Sequence, residues 1–288
     1  MSYLVFIHVL SPLHAGTGQG VGVIDLPIAR EKATNLPYLP GSTLKGTLRD
    51  ICEGKFGEDE SRHIFGEGGE STAKSGVAVF SDAKLLCLPL RSLYGTFAWV
   101  TSPFILERFK RDLKNSAFTT DYKIPKPESD QKCFILPGSK LKRRDKVFLE
   151  DLDLEPVEQE DISELADFIA KRIFEEADWQ RFFCERFCVV SDDVMGFLVE
   201  TGTEVTARNR LDDETKTAVR GALWYEESLP SETILSGVVS VTGNGQGQVF
   251  EKVKQLVENP LWLGGHTTIG RGLCRVILSS GGEENDNT

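Results

Sequence analysis

The chain has 288 residues, of which 40% are hydrophobic and 27% are charged, and its formal net charge is -11. This composition is typical of a globular protein of one or two domains and excludes an intrinsically disordered chain. No apolar stretch reaches the length of a membrane span, and the first residues lack the basic region and cleavage site of a secretory signal. We therefore expect a cytoplasmic protein that does not insert into membranes.

The charge is unevenly distributed along the chain. Residues 105–146 contain twelve lysines or arginines and six acids, whereas residues 150–178 contain twelve acids and two basic residues. One surface can therefore be basic although the total charge is negative, so binding to nucleic acid is not excluded. The six cysteines are scattered among apolar residues, which predicts buried thiols in a reducing compartment and not a zinc site or disulfides.

The first elements in chain order are a strand, a long loop and a helix. Residues 3–10 are apolar and rich in β-branched and aromatic side chains, which predicts a buried strand. Residues 11–40 are dense in glycine and proline, and loops of that length are usually functional. A helix is predicted to begin at Pro40, because apolar residues then recur at helical spacing. Residues 76–88 predict another strand and a turn.

The middle of the chain alternates between regular and irregular segments. We predict a strand over 94–100 and a helix over 103–113. From 114 to 160, prolines among charged residues predict an irregular insertion. Residues 162–174 have apolar side chains at helical spacing, so a second helix with an acidic polar side is expected there.

The end of the chain repeats the order of its beginning. A strand is predicted over 233–242, a helix over 249–257 and a last strand over 272–278. The chain thus opens with strand, loop, helix and strand, and closes with strand, helix, glycine-rich turn and strand. Two such units predict an α+β protein with a split βαβ, ferredoxin-like core that is interrupted by insertions.

The short motifs exclude several familiar classes of enzyme. The glycines after the first strand do not match the dinucleotide-binding fingerprint, and Gly41 to Thr47 places its lysine before the second glycine, unlike a P-loop. The four histidines are far apart in sequence, and no motif of a serine hydrolase, zinc peptidase or EF-hand is present.

Two segments are candidates for binding an anion such as phosphate. Lys45 and Arg49 lie four residues apart on the helix that begins at Pro40, so they share one face. The amide groups at the start of that helix also favour an anion, although a solvated polar face explains the same pattern. Arg271 lies in a glycine-rich turn and could meet a phosphate, with a purely structural turn as the alternative.

Three stretches together resemble the RAMP superfamily of CRISPR RNA-binding proteins. They are LSPLHAGTG at 10–18, PGSTLKGTLRD at 40–50 and LGGHTTIGRGL at 263–273. Residues 14–34 and 223–230 narrow the match, because they are similar to the backbone subunits of type III-B (Cmr) CRISPR effector complexes.

The resemblance implies a modified RNA-recognition-motif palm with large insertions that form fingers and a thumb-like hairpin. On this basis residues 1–89 and 231–288 would form the palm, 90–200 an inserted finger and helical region, and 201–230 the hairpin. Copies of the protein would stack as a helical filament on a CRISPR guide RNA, together with other Cmr subunits. The filament would cleave complementary target RNA at six-nucleotide intervals.

The resemblance also implies a set of site residues. Asp25 would be catalytic and would bind a divalent metal ion, Mg²⁺ or Mn²⁺. Cleavage of RNA by its own 2'-OH needs a base or metal and an acid, and His14, Glu226 and Glu227 are the candidate partners of Asp25. By residue type alone, Asp25 is better explained as a turn residue, and only the resemblance favours a catalytic role. The RNA-binding residues would be Ser42, Lys45, Arg49 and Arg271.

Three other functions remain open at this stage. The first is a filament subunit that binds RNA without cutting it, in which Asp25 only shapes its loop. The second is a guide-processing RAMP nuclease, which would act alone and use histidine chemistry without metal. The third is the backbone subunit of a type III-A complex. Such subunits are less similar to this chain over residues 14–25.

Overall fold

The computed structural model of the protein describes residues 2–18, 20, 23–67, 74–118, 121–211, 218–243 and 245–281. Part of the glycine-rich loop, at residues 19, 21 and 22, and the tip of the predicted hairpin, at 212–217, therefore lie outside the described residues.

The described chain mixes β-strands and α-helices along its whole length. The strands are β1 (Ser2–Val9), β2 (Tyr38–Leu39), β3 (Ala78–Phe80), β4 (Ala83–Arg91), β5 (Phe97–Thr101), β6 (Lys132–Ile135), β7 (Val147–Leu149), β8 (Leu152–Glu158), β9 (Phe187–Val189), β10 (Glu204–Leu211), β11 (Ala218–Ser228), β12 (Ile234–Val241), β13 (Leu261–Trp262) and β14 (Leu273–Ser279). The α-helices are α1 (Gly41–Phe56), α2 (Glu58–Phe65), α3 (Pro103–Asn115), α4 (Ser163–Ile173), α5 (Ala177–Cys184), α6 (Asp192–Thr201) and α7 (Gln246–Leu256), with short 3₁₀ helices at Glu160–Ile162 and Thr267–Ile269.

Four strands and two helices form the core of the region predicted to be the palm. The strand β1 is buried from Tyr3 to Val9 and pairs antiparallel with β12 on one side and β14 on the other. The strand β12 in turn pairs antiparallel with β4. In the resulting order β14-β1-β12-β4, the two strands of each βαβ unit are separated by one strand of the other unit. This is the split arrangement that the sequence predicted.

The two palm helices are held by their apolar stripes. Helix α1 buries Leu44, Leu48 and Cys52 in the core, and its opposite side carries Lys45 and Arg49. Helix α7 buries Val249, Val253 and Leu256 among other residues. The predicted helical spacing is therefore the spacing that packs against the sheet.

The prediction of an irregular insertion over 114–160 is wrong. The strands β6, β8 and β7 lie in this segment and extend the main sheet through β9, which pairs parallel with β5 and antiparallel with β6. These strands have three to seven residues, and β8 carries Pro156 and exposed acids, so their pattern does not stand out in the sequence. Helices α2, α5 and α6 were not predicted from the sequence either.

One sheet crosses the predicted boundary between palm and insertion. Residues 89 and 90 both lie inside β4, and the sheet continues from β4 through β5, β9, β6 and β8 to β7. The palm and the inserted region therefore share a continuous core. The division into regions 1–89 with 231–288, 90–200 and 201–230 stays a prediction.

The strands β10 and β11 form a separate two-stranded antiparallel sheet. Their register joins Glu204 to Ser228 at the base and Arg208 to Trp224 further out. A free two-stranded hairpin is marginally stable in water, so its base must be anchored by the rest of the molecule. The anchoring residues Glu226, Glu227 and Ser228 are all buried.

Two further observations concern the described chain as a whole. No described helix is both long enough and apolar enough to span a membrane. All six cysteines are free thiols, and five of them are buried as predicted, whereas Cys184 is partly exposed.

Candidate active site

Three segments that are distant in sequence meet at the base of the hairpin. Leu13 pairs with Leu229 just beyond β11, and Leu26 forms a parallel bridge with Glu226. His14 forms a bridge with Gly265, in the glycine-rich turn before β14. We call this meeting point of residues 13–18, 23–30, 225–229 and 264–272 the junction. It brings the predicted Asp25, His14, Glu226, Glu227 and Arg271 into one region.

Asp25 is exposed, yet its position at the junction is fixed. Its carboxylate oxygen Oδ2 accepts a hydrogen bond of 2.8 Å from the backbone N–H of Tyr225 in β11. Its backbone carbonyl accepts another of 2.8 Å from Gly20, and the next residue, Leu26, donates to the carbonyl of Tyr225. The side chain therefore stands at the edge of β11 with a defined origin and an open approach.

His14 is buried and its tautomer is set by a backbone carbonyl. Its Nδ1 lies 2.7 Å from the carbonyl oxygen of Glu227, which can only accept, so Nδ1 carries the proton. A Cβ atom on Gly16 would lie 2.4 Å from His14 Nε2, so only glycine fits against this ring. Because the residue is only 7% exposed, His14 orders the junction and is poorly placed to reach RNA.

Glu226 is buried and ionised inside a ring of donors. The indole N–H of Trp224 donates to it at 2.8 Å and the guanidinium Nε of Arg208 at 3.2 Å, while His266 Nε2 lies 3.7 Å away. Burial raises the pKa of Glu226, but the bond from Trp224 and the nearby His266 and Arg208 outweigh this effect, so the pKa lies below its usual value.

Glu227 points to the other side of β11, as alternation along a strand requires. Its Oε1 accepts from Arg30 at 2.6 Å and from the hydroxyl of Thr203 at 2.9 Å, and its Oε2 accepts from the backbone of Ile28 at 3.1 Å. Both carboxylate oxygens therefore have partners within the protein. The geometry gives Glu227 a structural role, in which it ties the loop after β1 to the hairpin.

The guanidinium of Arg271 also forms its hydrogen bonds with other residues of the protein. Its side chain is 13% exposed, and it donates to the hydroxyls of Ser228 at 3.1 Å and Thr206 at 3.2 Å. Glu204 lies 3.9 Å away. Arg271 thus fastens the glycine-rich turn to one face of the hairpin, which favours the structural alternative over a contact with phosphate.

The predicted RNA-binding face of α1 has a different character. Ser42 and Arg49 are exposed and Lys45 is partly exposed. Lys45, Arg49 and Lys74 line a cavity of about 470 Å³ whose walls include Phe80. Among the described residues, Lys45 and Lys74 form no ion pair, and the acid nearest to Arg49 is its neighbour Asp50 at 3.8 Å.

Comparisons with known proteins identify the family. Residues 6–275 match the model of the RAMP superfamily. The chain is 34% identical over 287 residues to the CRISPR system Cmr endoribonuclease Cmr4 of Pyrococcus furiosus, a match that covers 96% of this chain and 95% of that protein. The chain belongs to the RAMP superfamily. A shorter match, 32% identical over 93 residues, links 27% of this RAMP chain to 39% of the Cms endoribonuclease Csm3 of Mycobacterium tuberculosis.

Solved structures agree with this assignment. The crystal structure of oligomeric Cmr4 from Pyrococcus furiosus superposes with a TM-score of 0.75 at 28% identity, over 96% of this chain and 98% of that chain. A chain in the cryo-EM structure of the type III-B Cmr-beta complex bound to cognate target RNA has a TM-score of 0.76 at 20% identity, over 96% of this chain and 97% of that chain. The second comparison supports the RAMP fold.

The residues of the junction suit a divalent metal that also binds RNA, but they do not form a metal site from protein side chains alone. In the described part of the chain, no group of three or more His, Cys, Asp or Glu side chains could hold a metal ion. Asp25 offers one exposed carboxylate, and Mg²⁺ is commonly held by one or two carboxylates together with waters and substrate phosphates. The donor set therefore suits a metal whose coordination is completed by RNA.

The residues that hold the site together were not predicted from the sequence. Arg30, Arg208 and Trp224 bind the two buried glutamates, and His266 lies beside Glu226. No local pattern marks these side chains, because Arg30 is 197 residues from its partner Glu227. The sequence has four scattered histidines, of which His266 lies in the glycine-rich turn. Nothing in the sequence indicated that this histidine lies beside Glu226.

Proposed function

We propose that this protein is a guide-RNA-binding backbone subunit of a type III-B CRISPR effector complex and an endoribonuclease that cuts complementary target RNA at six-nucleotide intervals. One observation carries the proposal: Asp25 is an exposed carboxylate fixed by Tyr225 at the base of the hairpin, in a chain similar over nearly its whole length to an endoribonuclease, Cmr4. Relatives whose structures are described as oligomeric or as bound to target RNA support stacking of copies along a guide.

The chain's own residues divide the work. Asp25 Oδ2 is held by Tyr225, and the carboxylate accepts the proton of the 2'-OH or holds a divalent metal, Mg²⁺ or Mn²⁺. Such a metal would favour ionisation of the hydroxyl and neutralise charge on the phosphate. Glu227, Arg30 and His14 keep the loop of Asp25 in place, because their partners tie it to β11.

Recognition of the guide falls to α1. Lys45 and Arg49 present positive charge without partners in the described acids beyond Asp50, and the exposed Ser42 lies at the start of the same helix. The second function in competition is a filament subunit that binds RNA without cutting it. In that case Asp25 acts only as the acceptor that caps the edge of β11.

Reconstitution tests both functions. The protein would be expressed with the remaining complex subunits and a guide RNA, purified, and given a complementary RNA labelled at one end. We expect fragments spaced by six nucleotides, with 2',3'-cyclic phosphate or 3'-phosphate ends and 5'-hydroxyl ends, because the 2'-oxygen is the nucleophile. Intact target RNA under these conditions would favour the subunit that binds without cutting. Fragments with 5'-phosphate ends would show that water, and not the 2'-OH, attacks the phosphate.

A further inference from the structure

His266 is an unusual residue at the junction. Its backbone has φ of 62°, in the left-handed region that few residues other than glycine adopt, although histidine tolerates it better than most. Strain of this kind persists where the surrounding structure imposes it, and it concentrates at functional sites. The side chain remains 30% exposed in the midst of buried neighbours, so it can reach a molecule bound at the junction.

The turn around His266 is held by backbone hydrogen bonds. The carbonyl of His266 accepts from Ile269 at 3.1 Å and from Arg271 at 3.3 Å, and the preceding Gly265 donates to the carbonyl of His14 at 2.9 Å. The rings of His14 and His266 lie 4.9 Å apart. The turn that carries His266 is therefore held against the loop after β1, which also carries Asp25.

One carboxylate and two guanidinium groups lie around His266. Glu226 lies 3.7 Å from Nε2 on the β11 side and stays ionised, because its pKa lies below the usual value. The other charged groups nearby are Arg208 on β10 and Arg271 in the same turn, and both donate hydrogen bonds to partners on the hairpin. His14, the remaining titratable neighbour, donates a hydrogen bond from Nδ1 to the carbonyl of Glu227.

We propose that His266 is the general acid of the cleavage reaction, an inference that rests on the proposed function. The 2'-oxygen loses its proton to the base at Asp25 and forms a bond to phosphorus. The bond between phosphorus and the 5'-oxygen breaks, and the imidazolium of His266 gives its proton to that oxygen. The products are a 2',3'-cyclic phosphate and a 5'-hydroxyl, and His266 regains a proton from water.

The charged side chains near His266, and His14, are poor candidates for this step. Arg208 and Arg271 do not release protons near neutral pH, and both carboxylate oxygens of Glu226 and of Glu227 already accept hydrogen bonds from other residues. His14 is buried. His266 is partly exposed, and an imidazolium can give up a proton to a leaving oxygen.

A substrate with a sulfur atom in place of the scissile 5'-oxygen separates this role from a structural one. A thiolate leaves without being protonated, because thiols have a pKa of about 8.5, far below that of an alcohol. We expect His266→Asn, which tolerates the left-handed backbone, to slow cleavage of ordinary target RNA about 100-fold. The same variant should cut the sulfur-containing RNA within about twofold of the wild-type rate. It should also lose the decline in rate at high pH that the wild type shows on ordinary RNA.

The matched control is His63→Gln, since His63 is exposed on α2, outside the junction, and should leave both rates unchanged. Equal slowing of both substrates by His266→Asn would overturn the proposal and make His266 a positioning residue. Unchanged cleavage of both would overturn it as well. Failure of the proposed function looks different, because the wild-type complex would then leave both substrates intact.

Discussion

The junction and the exposed face of α1 both carry charged side chains. The charges of the glutamates at the junction are buried and paired, whereas those on α1 are exposed and mostly unpaired. At the junction, Glu227 is 4% exposed and paired with Arg30, and Glu226 is held by three neighbours. On α1, Lys45 lacks an ion-pair partner among the described residues, and Arg49 is 47% exposed. Apart from the exposed Asp25, the first region satisfies these charges within the protein, whereas the second leaves them available.

This difference separates geometry from affinity. A buried, paired charge contributes little to net binding but fixes the position of what it is tied to, since breaking it leaves an uncompensated charge. An exposed, unpaired cation fixes nothing and contributes affinity through the counterions that it displaces from RNA. We therefore expect substitutions at the junction to alter stability and chemistry, and substitutions on α1 to alter binding and its dependence on salt.

The largest effect is expected when the buried pair is broken. Replacing Arg30 with Met leaves the Glu227 carboxylate buried without its cation, which should lower the free energy of unfolding by about 3 to 5 kcal/mol. The matched control is Arg62→Met, whose partner Glu58 is exposed, with an expected loss of about 0 to 1 kcal/mol. Urea unfolding of the three proteins measures both values.

A double substitution sharpens the same comparison. Arg30→Met combined with Glu227→Leu removes both charges, so it should recover part of the stability lost in Arg30→Met alone. Similar small losses for Arg30→Met and Arg62→Met would show that the junction pair behaves as a surface pair. That result would remove the distinction between the two regions.

The next effect concerns Asp25, the open carboxylate of the junction. Asp25→Asn keeps the acceptor for the N–H of Tyr225 but removes the charge, so cleavage should fall about 100-fold, or about 2.7 kcal/mol in the barrier. Guide and target binding should stay nearly unchanged. Single-turnover cleavage and filter binding measure the two quantities.

A carboxylate elsewhere controls for the loss of charge. Asp151→Asn, at the fully exposed turn between β7 and β8, should cut at the wild-type rate. Wild-type cleavage by Asp25→Asn, with metal present, would withdraw the catalytic assignment and favour the subunit that binds without cutting.

The sequence predicted the elements whose apolar pattern is long and regular. Helix α1 and the strands β1, β12 and β14 were found because one complete stripe or run faces the core. The strand β7 has three residues, too few to show a period, and it exists because β8 pairs with it. Pairing between distant segments therefore supplied the structure that local pattern could not.

The same limit applies to the candidate site. Asp25 and the glutamates at 226 and 227 were identified through resemblance and residue type, and the structure brings them to one junction. Their division of roles follows from alternation along β11, which directs Glu226 to His266 and Glu227 to Arg30. That division depends on pairing across about 200 residues, so no reading of local sequence contains it.

The smallest effect tests the other half of the comparison. Lys45→Ala with Arg49→Ala should weaken guide binding and flatten the slope of log K against log salt by about 1.4, since each single-stranded phosphate contributes about 0.7. The stability should hardly change, because neither cation has a buried partner. The matched control, Lys114→Ala with Arg181→Ala, removes the same charge from exposed positions on α3 and α5 and should keep the wild-type slope. If the two pairs change the slope equally, the effect is one of total charge, and the face of α1 has no special role in holding RNA.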